Sequence, residues 1–225
     1  MIEKAVVLLS GGLDSATAAA IAKDEGFEIY GLTFRYGQKH GVEIESAGKV
    51  ACFLAFKSAR IVDLPISDLL DSALLVGGAE VPKGKKAEES RIAIPPTYVP
   101  SRNLIFLSIA TAYAESIGAS SIFIGANVID YSGYPDCRPQ FLRAFQEVIN
   151  VGTKVGLRGE HPIHIRAPLL SMSKGEILAK ARELGLDPTM THSCYDPKQG
   201  GIPCGECDSC QIRQKAFEQE KNKEN

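Results

Sequence analysis

The sequence predicts an α/β fold, a Rossmann-like parallel sheet flanked by helices, with a C-terminal extension. Two observations predict the sheet. Apolar segments of strand length alternate with helical segments, and a Ser-Gly-Gly-Leu-Asp-Ser loop at residues 10–15 joins the first strand to the first helix. A third observation, four cysteines within residues 194–210, sets the end of the chain apart. We expect one domain over residues 1–188 and a metal-binding extension over residues 189–225 packed on it.

The first 64 residues predict the order strand, helix, strand, helix, strand. The first strand is a short, continuous apolar run, as expected for a strand buried on both faces. Gly26 is expected to end the first helix. The strands are predicted at residues 4–9, 28–34 and 58–64, and the helices at residues 15–24 and 42–56.

A less regular segment follows the third strand. Residues 66–75 are compatible with a short helix. Residues 76–100 contain Gly-Gly, Pro-Pro and several charged residues, and a loop of this length in a compact domain is often functional. We interpret residues 76–100 as a lid over the site, with a disordered surface insertion as the alternative.

Regular elements return after residue 102. Leu104 and Leu107 begin an apolar pattern at helical spacing, and Gly118 follows as its stop. Ser173 and Glu176 have the spacing of a capping box at the start of a helix. In this half of the chain, strands are predicted at residues 121–125 and 162–166, and helices at residues 103–117 and 139–150, from residue 173 and from residue 211.

The composition favours a globular protein that acts on a small molecule. Of 225 residues, 44% are hydrophobic and 23% are charged, and the formal net charge is −2. Proteins that bind nucleic acid usually carry a basic excess, so no direct nucleic-acid partner is expected. The sequence has neither an apolar run of membrane-spanning length nor the pattern of a secretory signal. We therefore expect no membrane contact and a cytoplasmic location.

The loop at residues 10–15 predicts a phosphate-binding site. It lies at the carboxyl end of a strand and opens a helix, whose N-terminal N–H groups attract anions. Gly11 and Gly12 let the backbone approach a phosphate, and Ser10 and Ser15 add hydroxyl donors. The chain contains neither a Walker-type loop nor a dinucleotide-binding glycine pattern after a strand. A plain glycine turn capped by Asp14 is the structural alternative.

The cysteines near the end predict a closed metal site. Cys194, Cys204, Cys207 and Cys210 form the pattern Cys-x9-Cys-x2-Cys-x2-Cys. Four thiolates suit a tetrahedral, structural Zn²⁺ site. An iron–sulfur cluster is the rival interpretation, and His192 could replace a thiolate, although a supporting position next to the ligands fits it better.

A polar segment follows the predicted fourth strand and faces the same crevice as the opening loop. Tyrosines can stack on a flat ring, carboxylates can accept hydrogen bonds from a guanine-like edge, and an arginine can pair with a carboxylate. A structural turn of the same composition is the alternative. The candidate substrate-binding residues are Asp130, Tyr131, Tyr134, Asp136 and Arg138.

Taken together, these motifs resemble known families. The Ser-Gly-Gly-Leu-Asp-Ser loop resembles the pyrophosphate-binding loop of the N-type ATP pyrophosphatases, which have an adenine nucleotide alpha hydrolase-like fold. That loop, the Tyr-Val-Pro-Ser-Arg-Asn stretch at residues 98–103, the polar segment and the cysteine tail occur in this order. In combination they resemble the 7-cyano-7-deazaguanine (preQ0) synthases of queuosine biosynthesis. The resemblance extends from the first strand to Cys210.

This resemblance implies a reaction. ATP adenylates the carboxylate of 7-carboxy-7-deazaguanine, and ammonia converts the adenylate to an amide. A second adenylation activates the amide oxygen, whose loss leaves the nitrile. The resemblance also implies a homodimer and ammonia from solution or from another protein. The implied cofactors are ATP, Mg²⁺ and a structural Zn²⁺.

Site residues are implied as well. Asp14 is expected to help hold Mg²⁺, and Arg102 and Lys174 are expected to neutralise phosphate charge, with Arg166 as a weaker candidate. The residues expected to bind ATP are Leu8, Leu9, Ser10, Gly11, Gly12, Leu13, Asp14, Ser15, Ala16, Thr17, Ala18, Leu32 and Phe34.

Two other functions remain open at this point. One is a tRNA-modifying enzyme that adenylates a base on RNA, which the near-neutral charge disfavours. The other is a regulatory nucleotide-binding module, which the polar segment at a strand end disfavours. Cys137, within that segment, is interpreted as a pocket-lining thiol rather than a nucleophile.

Overall fold

The computed structural model describes residues 2–84, 94–129, 133–159 and 162–222. Its centre is a sheet of five parallel strands in the order β3-β2-β1-β4-β5. The strands are β1 (Lys4–Leu8), β2 (Glu28–Arg35), β3 (Ser58–Asp63), β4 (Ser121–Phe123) and β5 (His164–Arg166).

Helices connect the strands and cover both faces of the sheet, as the predicted fold class requires. They are α1 (Leu13–Asp24), α2 (Val42–Phe53), α3 (Arg102–Ile117), α4 (Pro139–Gly152), α5 (Lys154–Arg158), α6 (Lys174–Glu183) and α7 (Asp208–Lys221).

The core has two halves because successive strand residues point to opposite faces of the sheet. On one face, Val7 packs with α1, α2 and α6 and with Ala216 of α7. On the other face, Val6 and Leu8 pack with α3 and α4 and with the four clustered cysteines. The C-terminal segment therefore contributes to both halves of the core.

The strand order places a crevice at the carboxyl ends of β1 and β4. The chain proceeds from β1 through β2 to β3 on one side, and then returns to place β4 on the other side of β1. Such a reversal separates the loops that follow the two central strands, and ligands of parallel sheets bind there. The loop at residues 10–15 follows β1, and Gly125 follows β4.

Most of the predicted elements are confirmed with adjusted ends. α1 is followed by Gly26 with φ +86°, and α6 has the capping box of Ser173 and Glu176. The helix predicted over residues 66–75 is wrong, because only Ser67–Leu69 form a single 3₁₀ turn. α2 ends at Phe53 rather than at residue 56, and α7 begins at Asp208, three residues before the predicted start.

The segment proposed as a lid, residues 76–100, is described only in part, and its residues 85–93 lie outside the described residues. Its first part is tied to the cysteine extension: the Gly84 N–H donates to the Glu206 carbonyl over 3.0 Å, and Lys83 pairs with Asp196. Its last part carries two buried residues, Thr97 and Val99. These parts are packed rather than free.

Among the described helices, none combines the length and the apolar character needed to cross a membrane.

Candidate active site

The loop after β1 is organised by two serine hydroxyls. The Ser10 backbone N–H donates to the Ser15 Oγ over 3.1 Å, and the two hydroxyls lie 3.0 Å apart. The Ser15 hydroxyl donates to the Gly12 carbonyl, and the Gly12 N–H donates to the Ser10 Oγ. The loop is therefore closed on itself, and the first N–H groups of α1 are held in one direction at the carboxyl edge of the sheet.

Two glycines allow close packing around this loop. Gly11 has φ +88°, and a Cβ on it would lie 2.1 Å from the carbonyl oxygen of Glu43 in the first turn of α2. A Cβ on Gly125 would lie 2.7 Å from the backbone nitrogen of Ser15. The loop is thus pressed between α2 and the strand end of β4, and only glycine fits at either contact.

One ion pair anchors the loop to α6. The Lys174 Nζ donates to both carboxylate oxygens of Asp14, over 2.6 and 2.8 Å, and both side chains are largely shielded from solvent. Lys174 is the first residue of α6, directly after the Ser173 cap. The Asn127 amide fixes the preceding turn by donating to the carbonyls of Leu169 and Met172. Sequence-distant elements therefore place this cation beside the loop.

A second cation, Arg102, lines the same cavity as the loop. Arg102 is the first residue of α3, preceded by Ser101 in the left-handed conformation with φ +56°. Its Nη1 donates to the Tyr36 hydroxyl over 3.4 Å. Burial alone lowers the pKa of Arg102. The neighbouring Tyr36, Tyr134 and Asp136 raise this pKa by more than burial lowers it, so the guanidinium stays charged. The positive end of the α3 dipole adds to its field, and both favour an anion.

A second carboxylate lies in the same region. Glu43, in the first turn of α2, lines the cavity with Tyr36 and Arg102. Burial raises the pKa of Glu43 to about 7, and the charge of Arg102 opposes that shift. The cavity therefore contains a carboxyl group that changes its protonation near neutral pH.

These walls enclose a cavity of about 210 Å³. Near Leu32 the wall is apolar, and the rings of Phe34 and Phe106 stack there at 3.9 Å. Further along, Tyr134 is hydrogen-bonded through its hydroxyl to Thr97 over 2.8 Å. The cavity can accept a flat ring against aromatic surfaces and an anion against the loop.

The predicted ATP-binding residues occupy two kinds of position. Gly11 contacts α2, and three residues of α1 are fully buried behind the loop: Ala16, Thr17 and Ala18. The others line the cavity: Leu8, Leu9, Ser10, Gly12, Leu13, Asp14, Ser15, Leu32 and Phe34. The predicted catalytic residues, Asp14, Arg102 and Lys174, all line it.

The predicted substrate-binding residues are distributed differently. Tyr134 lines the cavity, and Asp130 and Tyr131 lie outside the described residues. Asp136 is buried with its Oδ2 accepting from the Asn103 N–H over 2.9 Å, so it caps the start of α3. Arg138 is exposed. Among the described residues that line the cavity neither Asp136 nor Arg138 appears, and their contact with substrate stays a prediction.

Cys137 and Arg166, two further residues singled out from the sequence, differ in position. Cys137 lines the cavity, accepts a hydrogen bond from the Asn103 amide, and has a pKa raised to about 11, first by burial. A thiol of that kind is a poor nucleophile, in line with the interpretation as a pocket-lining residue. Arg166, by contrast, pairs with Glu25 on the surface.

The four predicted metal ligands come together. The sulfur atoms of Cys194, Cys204, Cys207 and Cys210 all lie within 4.8 Å of one another, and all four residues are buried. The Cys204 and Cys210 sulfurs are 4.0 Å apart. This approaches the ~3.8 Å edge of a tetrahedron with Zn–S bonds of about 2.3 Å. The cluster could hold a metal ion.

Backbone groups support this cluster. The N–H groups of Glu206 and Cys207 donate to the Cys204 sulfur over 3.4 and 3.3 Å. Burial alone raises the pKa of Cys204. Hydrogen bonds to its sulfur, among which those from these two donors have the largest effect, lower the pKa by more, so the net shift is downward. A stabilised thiolate at Cys204 suits a metal ligand, whereas without a metal the pKa values of Cys194, Cys207 and Cys210 are raised to about 12.

The cysteine extension also contacts the opening loop. The His192 N–H donates to the Gly11 carbonyl over 2.9 Å, so His192 supports the loop through its backbone. The Arg213 guanidinium of α7 donates to Thr191 and Ser193 on either side of His192. A metal at the cysteines would therefore stabilise the segment that holds the phosphate loop.

The sequence reasoning missed several cavity residues. Tyr36, Glu43, Phe106 and Tyr195 line the cavity, yet none belongs to a recognisable motif. A glutamate in the first turn of a helix is common and gives no signal of its own. The position of Glu43 in the cavity could be predicted only if it were known which helix packs its first turn against the glycine loop.

The fold and the site define a class of protein: an α/β nucleotide-binding protein with a pyrophosphate loop at the carboxyl end of its first strand. A solved structure described as a 4-thiouridine synthetase–RNA complex with bound ATP has this fold. Its TM-score is 0.52, with 24% identity over 96% of this chain and 50% of that chain.

Within that class, the chain belongs to the family described as queuosine biosynthesis protein QueC, which it matches over residues 4–221. It is 50% identical over 215 residues to a 7-cyano-7-deazaguanine synthase of Syntrophus aciditrophicus, covering 96% of this chain and 93% of the relative. It is 51% identical to a 7-cyano-7-deazaguanine synthase of Desulfatibacillum aliphaticivorans, covering 96% and 92%.

Proposed function

We propose that the chain is a 7-cyano-7-deazaguanine synthase, an ATP-dependent ligase that converts the carboxylate of 7-carboxy-7-deazaguanine to a nitrile with ammonia. One observation carries the proposal beyond family membership. A single cavity is bordered by the Ser-Gly-Gly loop, by the buried Lys174 and the half-buried Arg102, and by an aromatic wall with Tyr134. It can therefore bring a phosphate ester and a planar, acid-bearing base together.

ATP would lie along the loop side of the cavity. The N-terminal N–H groups of α1 would receive the leaving pyrophosphate, and the adenine would lie near Leu32 and Phe34. Asp14 would contribute an oxygen to Mg²⁺, because an ionised carboxylate paired with Lys174 keeps further lone pairs free for a hard cation. Such an ion neutralises phosphate charge when bound.

The substrate acid would lie on the opposite side. Arg102 is a positive charge in the cavity that the loop and Tyr134 also line, and it would lie where a carboxylate and an α-phosphate meet. A cation held there before the reaction stabilises negative charge that develops on the phosphate. Tyr134 would stack on or flank the deazaguanine ring. The predicted contacts of Asp130, Tyr131, Asp136 and Arg138 would complete the recognition of its edge.

The same loop would serve two activations. In the first, the substrate carboxylate attacks the α-phosphate and pyrophosphate leaves; ammonia then displaces AMP to give the amide. In the second, the amide oxygen attacks a new ATP, and departure of AMP leaves the nitrile. Because both steps expel pyrophosphate from ATP, one pyrophosphate loop is sufficient.

The extension would hold one Zn²⁺ through Cys194, Cys204, Cys207 and Cys210. A four-thiolate set leaves no open position, so its contribution is structural. The domain boundary near residue 188, a homodimer, ammonia taken from solution or another protein, and a cytoplasmic location stay predictions from the sequence.

The test is a reaction with purified protein, ATP, Mg²⁺, ammonium and 7-carboxy-7-deazaguanine. We expect AMP, pyrophosphate and a product with a nitrile. Turnover that requires tRNA would instead favour a tRNA-modifying enzyme. ATP binding without turnover of either substrate would favour a regulatory module.

A further inference from the structure

We propose that Glu43 is the proton acceptor of the reaction, taking protons from the substrate nitrogen during amide formation and nitrile formation. This inference rests on the proposed function. It assigns a catalytic role to a residue that belongs to no motif of the sequence.

The first support is the position of Glu43. The first turn of α2 is in contact with the phosphate loop: a Cβ on Gly11 would lie 2.1 Å from the Glu43 carbonyl oxygen. From the same residue the side chain borders the cavity, together with Asp14 and Arg102. The carboxyl group therefore lies in the same cavity as the loop, and the contact between α2 and Gly11 fixes the helix start that carries it.

The second support is a contrast between two carboxylates. Asp14 and Glu43 both line the cavity, but Asp14 is engaged by Lys174 over 2.6 Å. Within the described part of the chain, no hydrogen bond or ion pair is formed by the Glu43 carboxylate, although the charge of Arg102 acts on it. The Asp14 carboxylate is engaged by Lys174, whereas the unpaired carboxyl of Glu43, whose pKa burial raises to about 7, can exchange a proton near neutral pH.

The third support is the character of the other titratable groups that face this space. Burial raises the pKa values of Tyr36 and Tyr134, and that of Cys137 to about 11, which keeps these three groups protonated. Arg102 stays charged and cannot accept a proton. His192 also lines the cavity, but its Nε2 is buried, and burial lowers the pKa of its imidazole, which makes it a weaker proton acceptor. Glu43 combines access to the cavity with a pKa of about 7.

The proton balance of the reaction requires such a group. When ammonia attacks the acyl adenylate, a C–N bond forms, AMP leaves with the C–O electron pair, and one proton must leave the nitrogen. When the amide oxygen has been adenylated, both remaining N–H protons leave as the C–O bond to AMP breaks and the triple bond forms. Glu43 accepts the one proton of amide formation and, in nitrile formation, the two protons one after the other, releasing the first to solvent before it accepts the second.

The experiment uses Glu43→Gln, which keeps the size of the side chain, and Glu45→Gln on the exposed side of the same helix as its control. The substrate is the amide, so that the protonation of ammonia does not enter the pH profile. We expect Glu43→Gln to form nitrile about 10²- to 10³-fold more slowly than the unmodified chain. Glu45→Gln should be unchanged.

Two further readouts separate a proton acceptor from a structural residue. The nitrile-forming rate of the unmodified chain should rise with pH around 7, because Glu43 must be ionised, and that of Glu43→Gln should be flat. Exchange of labelled pyrophosphate into ATP with the carboxylate substrate, in the absence of ammonium, needs no proton acceptor. It should stay within about threefold in the variant, and Glu43→Asp should restore part of nitrile formation.

The inference is overturned if Glu43→Gln forms nitrile at the normal rate, or if it loses pyrophosphate exchange together with nitrile formation. Failure of the proposed function gives a different result: the unmodified chain itself would show neither exchange nor nitrile.

Discussion

The two sides of the cavity are built in opposite ways. The loop side is one continuous stretch, residues 10–15, whose geometry is fixed by local hydrogen bonds between Ser10, Gly12 and Ser15. The opposite side is assembled from Tyr36, Glu43 and Arg102, which lie on three separate segments. The difference shows that the loop is built from local contacts; under the proposed function, ATP binding is then encoded locally, whereas the chemistry on the substrate depends on how the helices pack.

The two sides meet at Gly11, and the largest effect is expected there. Gly11→Ala places a Cβ 2.1 Å from the Glu43 carbonyl at a φ of +88°, so the loop and α2 cannot keep their contact. We expect a loss of about 3 kcal/mol or more of folding stability and more than 10³-fold of nitrile formation. Denaturant unfolding and turnover measure both.

Gly48→Ala is the matched control on the same helix, because a Cβ there meets nothing within 4 Å. It should be neutral or stabilising by up to about 1 kcal/mol. Equal losses from the two substitutions would show that the contact between the loop and α2 is unimportant.

Arg102→Gln should affect the opposite side without disturbing the loop. We expect nitrile formation to fall about 10²- to 10³-fold, because the substitution removes the half-buried cation proposed to stabilise developing phosphate charge. Arg102 also lowers the pKa of Glu43, so its loss should move the rise of the pH–rate profile above pH 7. Steady-state rates between pH 6 and 9 with the amide substrate test this.

The exposed Arg143→Gln provides the comparison for charge alone. A profile of Arg102→Gln with an unshifted midpoint would contradict the electrostatic link between Arg102 and Glu43.

A smaller effect is expected from the cysteine cluster, whose four cysteines are not among the described residues that line the cavity, although Tyr195 beside them is. Cys204→Ser should abolish stoichiometric zinc and lower Tm by roughly 10 °C, since loss of a structural metal costs several kcal/mol in a chain of this size. Elemental analysis and thermal unfolding measure the two quantities. Cys52→Ser, at an exposed cysteine, should change neither.

Full zinc content in Cys204→Ser would contradict the assignment of that ligand. Iron with acid-labile sulfide in the unmodified chain would contradict zinc altogether.

Most of the fold could be predicted from local sequence patterns. Continuous apolar runs marked the strands, and the Ser173–Glu176 capping box marked α6, because these signals act within a few residues. The predicted helix over residues 66–75 failed because most of that stretch takes its structure from long-range contacts, such as the Ala73 N–H donating to the Pro96 carbonyl.

Only part of the candidate site could be predicted from local sequence patterns. Asp136 has the chemistry of a ligand-binding residue, yet its carboxylate caps α3 from a different part of the chain. In the sequence, Glu43 is an ordinary acidic residue in the first turn of a helix. Gly11, which has no Cβ, allows that helix to pack directly against the phosphate loop. The positions of both residues depend on which helix N-termini lie next to one another at the carboxyl edge of the sheet. A single sequence does not show which N-termini are neighbours.

The central claim is that one pyrophosphate loop drives both activations in one cavity. It is tested most directly by counting AMP against nitrile with two substrates. Starting from the carboxylate with ammonium, the unmodified chain should release two molecules of AMP for each nitrile. Starting from the amide without ammonium, it should release one. No nitrile from the amide, or equal AMP counts from the two substrates, would contradict the claim.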